Sequence, residues 1–347
     1  MIPIFCTQCG VKLVKTPEHT CLSCGAPYRS TDGLTKEIFL QADLQGRNKW
    51  WHWVIGIFTV VMAWQVIGTM PLYFFCISTR LFSIYGFQCA PGQLIVRGPS
   101  HVPGFILTMF PFIIGTITLA IVVRWFHNKS FATLLTGRKR FDLSRTLFAM
   151  AVVGTMSAIS LALELFANVA PENGGELIHN RISYDWAALA FFAFTLVPVQ
   201  AGLEEVFFRG YLLQGMSLVS RSKIFLLFST TTIFTAVHLA NPEPWEYGVL
   251  PYLFSVFALG TFMGLITILD DGLELAIGFH TANNLWSFLV VGLENSAIPT
   301  PALFILKIDD LNIGHAIAPI LIQLSVIFIA FAWRYGWFAK LKHRSGY

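Results

Sequence analysis

The chain is predicted to be an all-α polytopic membrane protein of eight transmembrane helices, preceded by a small N-terminal zinc ribbon. Three observations predict this. Of its 347 residues 55% are hydrophobic and only 12% charged, against roughly 25% charged in ordinary soluble domains. The hydrophobic residues gather into runs of about 20, the length that crosses a bilayer core. Cys6, Cys9, Cys21 and Cys24 form "CTQCG" and "CLSCG", two C-x2-C knuckles with the spacing of a tetrahedral structural zinc site.

The ribbon occupies residues 1–30 and is followed by a linker over 31–49. Thiolate ligands suit a reducing compartment, so this segment is expected in the cytoplasm. Cys76 and Cys89 lie apart and fit no such pattern. The first hydrophobic run starts at Trp50, too late for a secretory signal. Residues 1–30 hold only Lys12, Lys15 and Arg29 as cations, thin for phosphate recognition. No basic face with interleaved aromatics occurs elsewhere, so nucleic acid is not an expected partner. The ribbon's expected role is contact with a cytoplasmic protein, or a small cap on the membrane domain.

Residues 50–338 divide into spans over 50–75, 103–126, 146–166, 186 to about 218, 223–240, 248–269, 273–293 and 316–335. Most tryptophans fall near these ends, as interface anchors should. Basic residues mark alternate links. Arg47 and Lys49 precede the first span, Lys129 to Arg145 join the second and third, Arg221 and Lys223 join the fourth and fifth, and a basic tail fills 339–347. The other links are poorer in lysine and arginine. The positive-inside rule then places both termini in the cytoplasm, except that the link Asp270-Asp271-Gly272, expected on the same side, has no cation. A bacterial cytoplasmic membrane is the expected setting.

Polar residues inside spans are functional candidates by default. They are Glu164, Glu204, Glu205, Arg209, His238, His280, Asn283 and Asn284. Glu274 lies near an interface and is expected to be wet, and His52 reads as an anchor among tryptophans. Glu205 and Arg209 are four apart and share a helix face, so they can pair. Glu204 is rotated about 100° from Glu205 and can face a different space. Counted from a turn near Arg221, Glu204 and His238 lie at matching depth, about 25 Å along their helices. By the same rise His280 and Asn284 are shallower, a difference that helix tilt or bending must absorb. A set of two acids, an arginine, two histidines and an asparagine on three spans needs water, and so implies a polar cavity.

"EEVFFR", "FTAVH" and "HTANN", in that order in successive spans, resemble the three motifs of the CAAX-prenyl-protease-like and bacteriocin-processing (CPBP or Abi) intramembrane proteases. The resemblance covers residues 186–293; the ribbon is additional to it. It implies that Glu204, helped by His238, activates water, that His280 and Asn284 stabilise an oxyanion, and that Glu205 and Arg209 brace the fourth helix. The expected activity is hydrolysis of a peptide bond in a membrane-embedded or lipidated substrate. Peptide hydrolysis needs both a polarised nucleophile and donors aimed at developing negative charge. Glu204, His238 and His280 could equally form the two-histidine, one-carboxylate set of a catalytic zinc site, and metal use stays open. A non-catalytic interaction or immunity protein and a solute or proton transporter are the alternatives; no evident internal repeat favours the latter.

Overall fold

The computed structural model describes residues 39–40, 42, 46–82, 84–89, 94–166, 176–308 and 313–338. The expected ribbon with Cys6, Cys9, Cys21 and Cys24, most of the linker and the basic tail lie outside the described residues.

The first apolar run forms α1 (Trp50–Met62), a π-helical turn over Ala63–Ile67 and α2 (Met70–Leu81). A short hairpin of β1 (Gln88–Cys89) and β2 (Val96–Arg97) leads to α3 (Val102–Trp125), then α4 (Leu143–Phe166), β3 (Glu176–His179) and α5 (Tyr184–Glu205). Helix α5 starts where Ser183 caps it by accepting from the Trp186 amide, a standard use of serine. It continues through a π-helical stretch, Val206–Leu212, into α6 (Leu213–Met216). Next come α7 (Lys223–Val237), α8 (Glu243–Tyr247), α9 (Val249–Asp270), α10 (Glu274–Leu289), β4 (Val291–Leu293), β5 (Phe304–Lys307) and α11 (Ile313–Arg334).

Seven helices are long and apolar enough to cross a membrane, among the described residues. Their outward faces carry exposed Phe58, Phe74, Phe191, Phe194, Ile322 and Ile329, an apolar surface on a scale that water would not tolerate. The protein is therefore a multi-pass integral membrane protein.

The seventh of the eight expected spans is the exception. Residues 273–293 form not one spanning helix but the 16-residue α10 followed by β4. At 1.5 Å per residue α10 is about 24 Å long, short of the roughly 30 Å hydrocarbon core. Protein, not lipid, surrounds it: Glu274 to Ala282 are all buried. Helix α10 packs so closely on α4 that a side chain at Gly278 would collide with the Thr146 carbonyl oxygen, and small residues permit such backbone approach. The all-α expectation also omitted the small sheet in order β3-β5-β4 and the β1-β2 hairpin.

The links gather at two ends. At the basic end, Arg138 pairs with Asp270 at 2.9 Å and with Glu274 at 3.0 Å, and Arg145 reaches Asp270 at 2.5 Å. The cation-free link 270–272 thus borrows its positive neighbours from the link before α4. Glu274 is fully buried in this cluster, contrary to the wet position expected of it. The Arg47 amide donates to His127 O, and Asp271 Oδ1 accepts from the Phe39 amide, so the N-terminal approach to α1 sits here too. At the other end, Cys76 and Cys89 are joined by a disulfide that ties α2 to the hairpin, a pairing the sequence pattern did not suggest. His101 and Asp185 join the starts of α3 and α5, and the three-stranded sheet joins β3 to β4 and β5. Trp50, Trp125, Trp245 and Trp333 are exposed near helix ends as anchors should be, whereas Trp53 and Trp337 are buried in the core.

Candidate active site

Helix α5 and its π-helical continuation carry most of the polar residues. Gln200 and Glu204 are four apart on α5, and Gln200 Nε2 donates to Glu204 Oε1 at 2.7 Å. Gln200 Oε1 accepts from Asn284 Nδ2 on α10 at 2.8 Å. One amide therefore links the first glutamate to the asparagine. Glu205 faces the other way, as the 100° helical step requires. It is fully buried, and its Oε1 accepts from Arg209 Nη1 at 2.9 Å.

His280 brings the two carboxylates together. Its Nδ1 lies 2.7 Å from Glu205 Oε1 and its Nε2 lies 3.5 Å from Glu204 Oε2. Glu205 is thus more than a brace for its own helix: it also fixes the ring of His280. Arg209 completes the setting by donating to Gly260 O at 3.2 Å and lying 4.1 Å over the Phe234 ring, a cation–π contact that offsets part of its burial.

Phe234 has a second use. Its carbonyl oxygen lies 2.7 Å from His238 Nδ1. This is why a phenylalanine four residues before the histidine makes sense here: the ring covers Arg209 while the carbonyl sets the imidazole. A carbonyl can only accept, so Nδ1 of His238 carries a proton and Nε2 of the neutral ring is left as an acceptor.

Gln200, Glu204, His238, His280, Asn283 and Asn284 all line one cavity of about 1080 Å³, together with Tyr252 and Ser255 of α9. The structure thus places Glu204, His238, His280 and Asn284 on the wall of one cavity, with no direct hydrogen bond between Glu204 and His238. Asn283 lines the same cavity and donates to Asn284 Oδ1 at 3.3 Å. Helix α10 begins against the link before α4, where the Leu273 amide donates to Leu135 O, and His280 still reaches both glutamates. Glu164 is exposed on α4 and does not line the cavity. His52 is stacked on Trp51 but buried, not exposed as the expected anchor would be.

Gln200 was missed from the sequence. Its signal was available: a lone amide four residues before Glu204 on one face of an apolar helix.

Among the described residues no three His, Cys, Asp or Glu side chains are grouped to hold a metal ion. Glu204, His238 and His280 as they stand are thus not grouped as a ligand set.

All of these polar residues fall inside residues 185–286, which match the protein family described as Type II CAAX prenyl endopeptidase Rce1-like. Over that part of its length the chain carries a CAAX-protease-like domain. The chain is also 26% identical over 268 residues to "Uncharacterized protein YyaK" of Bacillus subtilis (strain 168), covering 75% of this chain and 85% of the relative. No solved structure matches it significantly.

Proposed function

We propose that the protein is an intramembrane endopeptidase that hydrolyses a peptide bond of a membrane-associated substrate with water activated by Glu204. The observation that carries this reading is the contact of His280 with both adjacent glutamates on the wall of a shared cavity.

Glu204 takes a proton from water, and the hydroxide adds to the scissile carbonyl. Nε2 of His238, the open acceptor, helps hold that water. Nδ1–H of His280 is committed to Glu205, so its Nε2 faces a Glu204 oxygen at 3.5 Å. In this reading His280 carries a proton on both ring nitrogens, so that the contact to Glu204 is an ion pair. With His280 so protonated, Glu204, Glu205, Arg209 and His280 sum to zero charge, which suits a buried site. His280 and the second N–H of Asn284 then donate to the oxyanion. Collapse of the intermediate breaks the C–N bond, and Glu204 returns its proton to the leaving amine. Gln200 positions Glu204 and Asn284 relative to one another.

An eighth crossing by α10 belongs to this reading: Glu274 contacts the basic end, while the Leu289 carbonyl accepts from Trp186 near the other. Both chain termini then lie on the cytoplasmic side. The zinc ribbon at Cys6, Cys9, Cys21 and Cys24 would sit there and contact a cytoplasmic protein; bound zinc that disappears with Cys6→Ser is its test.

The activity is tested by comparing membrane peptides of cells holding the wild type with those holding Glu204→Gln. A precursor that accumulates only in the variant supports proteolysis. Identical peptide profiles favour the non-catalytic interaction reading instead.

A further inference from the structure

The cavity is not symmetric between the two ends of the molecule. Its lining includes Asn241 and Glu243 from the segment between α7 and α9, and Gly292, Ser296, Ala297 and Thr300 from the segment after α10. Both segments lie at the disulfide end, where Asn295 Nδ2 joins them by donating to Glu246 Oε1 at 2.7 Å. No residue of the links at the basic end, 126–142, 217–222 or 271–273, lines it among the described residues. Ser296 and Thr300 are partly exposed, so the mouth is at the disulfide end.

Two independent features say which compartment that end faces. The first is charge. Arg47, Lys49, Lys129, Arg138, Lys139, Arg140, Arg145, Arg221 and Lys223 belong to the basic end, against Arg80, Arg97, Arg181 and Lys307 at the other. Such a bias marks the cytoplasmic side. The second is covalent. The Cys76–Cys89 disulfide persists in an oxidising compartment and is rare where glutathione and thioredoxin keep thiols reduced. Charge and redox chemistry agree although neither depends on the other.

We propose that the cavity takes its substrate from the extracytoplasmic side, so that the cleaved segment is part of an exported, membrane-anchored peptide and not a cytoplasmic tail. The cleavage itself rests on the proposed proteolysis; the direction of the mouth does not. The sidedness separates the molecule into an outer catalytic mouth and an inner basic end to which the N-terminal segment connects.

Thiol labelling in intact cells tests this without any substrate. Thr300→Cys places a thiol at the mouth, outside the proposed catalytic groups, and Val219→Cys places one in the exposed turn between α6 and α7. A membrane-impermeant maleimide is expected to label Thr300→Cys in intact cells, and Val219→Cys only after lysis. The wild type should stay unlabelled in intact cells. The reverse pattern, or equal labelling of the two variants, overturns the proposal. Should Thr300→Cys fail to fold, Tyr85→Cys in the exposed segment between α2 and β1 replaces it, with the same expected outcome. A second measurement needs no variant: wild type denatured with maleimide should leave Cys76 and Cys89 unmodified until a reductant is added. Free, alkylated Cys76 and Cys89 in protein taken from cells would also overturn it. Outward labelling with no precursor accumulating in Glu204→Gln cells would keep the sidedness and remove the protease reading. Inward labelling with an accumulating precursor would do the opposite.

Discussion

His280 meets two carboxylates that neighbour each other in sequence yet point apart on the helix. Glu204 faces the cavity while Glu205 faces Arg209. This split was legible from spacing alone, because a 100° step between neighbours and a shared face four residues apart are properties of any α-helix. Gln200 was not, because an amide carries no charge and so does not stand out in an apolar helix. Its position between Glu204 and Asn284 predicts that Gln200→Leu lowers kcat about 10- to 100-fold, on the scale of a group that supports a catalytic residue, while KM changes little. Steady-state kinetics on a cleaved peptide would show it; an unchanged kcat would make Gln200 mere packing. A second residue acts on stability. His127, in the link before α4, is held between Arg47 O at 2.9 Å and the Tyr211 hydroxyl at 2.8 Å. Burial first, and then the Lys129 charge, push its imidazole down to about 3. An unfolded chain would bind that proton near 6.5. The stability from neutral His127 is therefore complete above about pH 6.5 and is lost as pH falls from there towards about 3. Thermal melting in detergent should show this acid loss, and His127→Asn should flatten it.

Among the elements, α10 departs furthest from what its hydropathy suggested. Residues 273–293 are apolar enough to read as a span, but the helix ends at Leu289 because Val291–Leu293 pair in parallel with Phe304–Leu306 of β5. Hydropathy reports how apolar a segment is and not whether lipid or protein surrounds it, so a helix sheathed by α4, α5 and α9 escaped the distinction. The close α4–α10 approach predicts that Gly278→Leu forces the two helices apart. Overpacking of this kind typically costs about 1–3 kcal/mol, and at this site it would also displace His280. Both a lowered melting temperature and a lost activity are expected; normal values for both would contradict the packing account. The π-helical stretch Val206–Leu212 was equally invisible to simple periodicity. It follows directly after Glu205, and such segments recur at functional sites. Within it Arg209 is wholly buried, so Arg209→Met should destabilise by about 3–5 kcal/mol by removing the guanidinium partner of buried Glu205 and leaving it His280 alone. Adding Glu205→Gln should recover part of that loss, which a double-mutant cycle of melting measurements would reveal; full additivity would mean the pair is not coupled.

At the scale of the whole molecule, the membrane character and the alternation of basic links were written in composition. The pairing that completes the topology was not. Asp270 and Glu274 lie far from Arg138 and Arg145 in sequence, and no local pattern announces that they meet. The same holds for Cys76 and Cys89. What the fold adds is convergence: α5, α7 and α10 each supply one motif to a single cavity near one end of the molecule. The account stands or falls on the carboxylate at its centre. The decisive measurement is the rate at which purified wild type and Glu204→Gln, reconstituted and matched in melting temperature, cleave the precursor that accumulates in Glu204→Gln cells. The variant is predicted to be slower by at least about 100-fold, the lower range for loss of a general base. Cleavage by Glu204→Gln at the wild-type rate would contradict it.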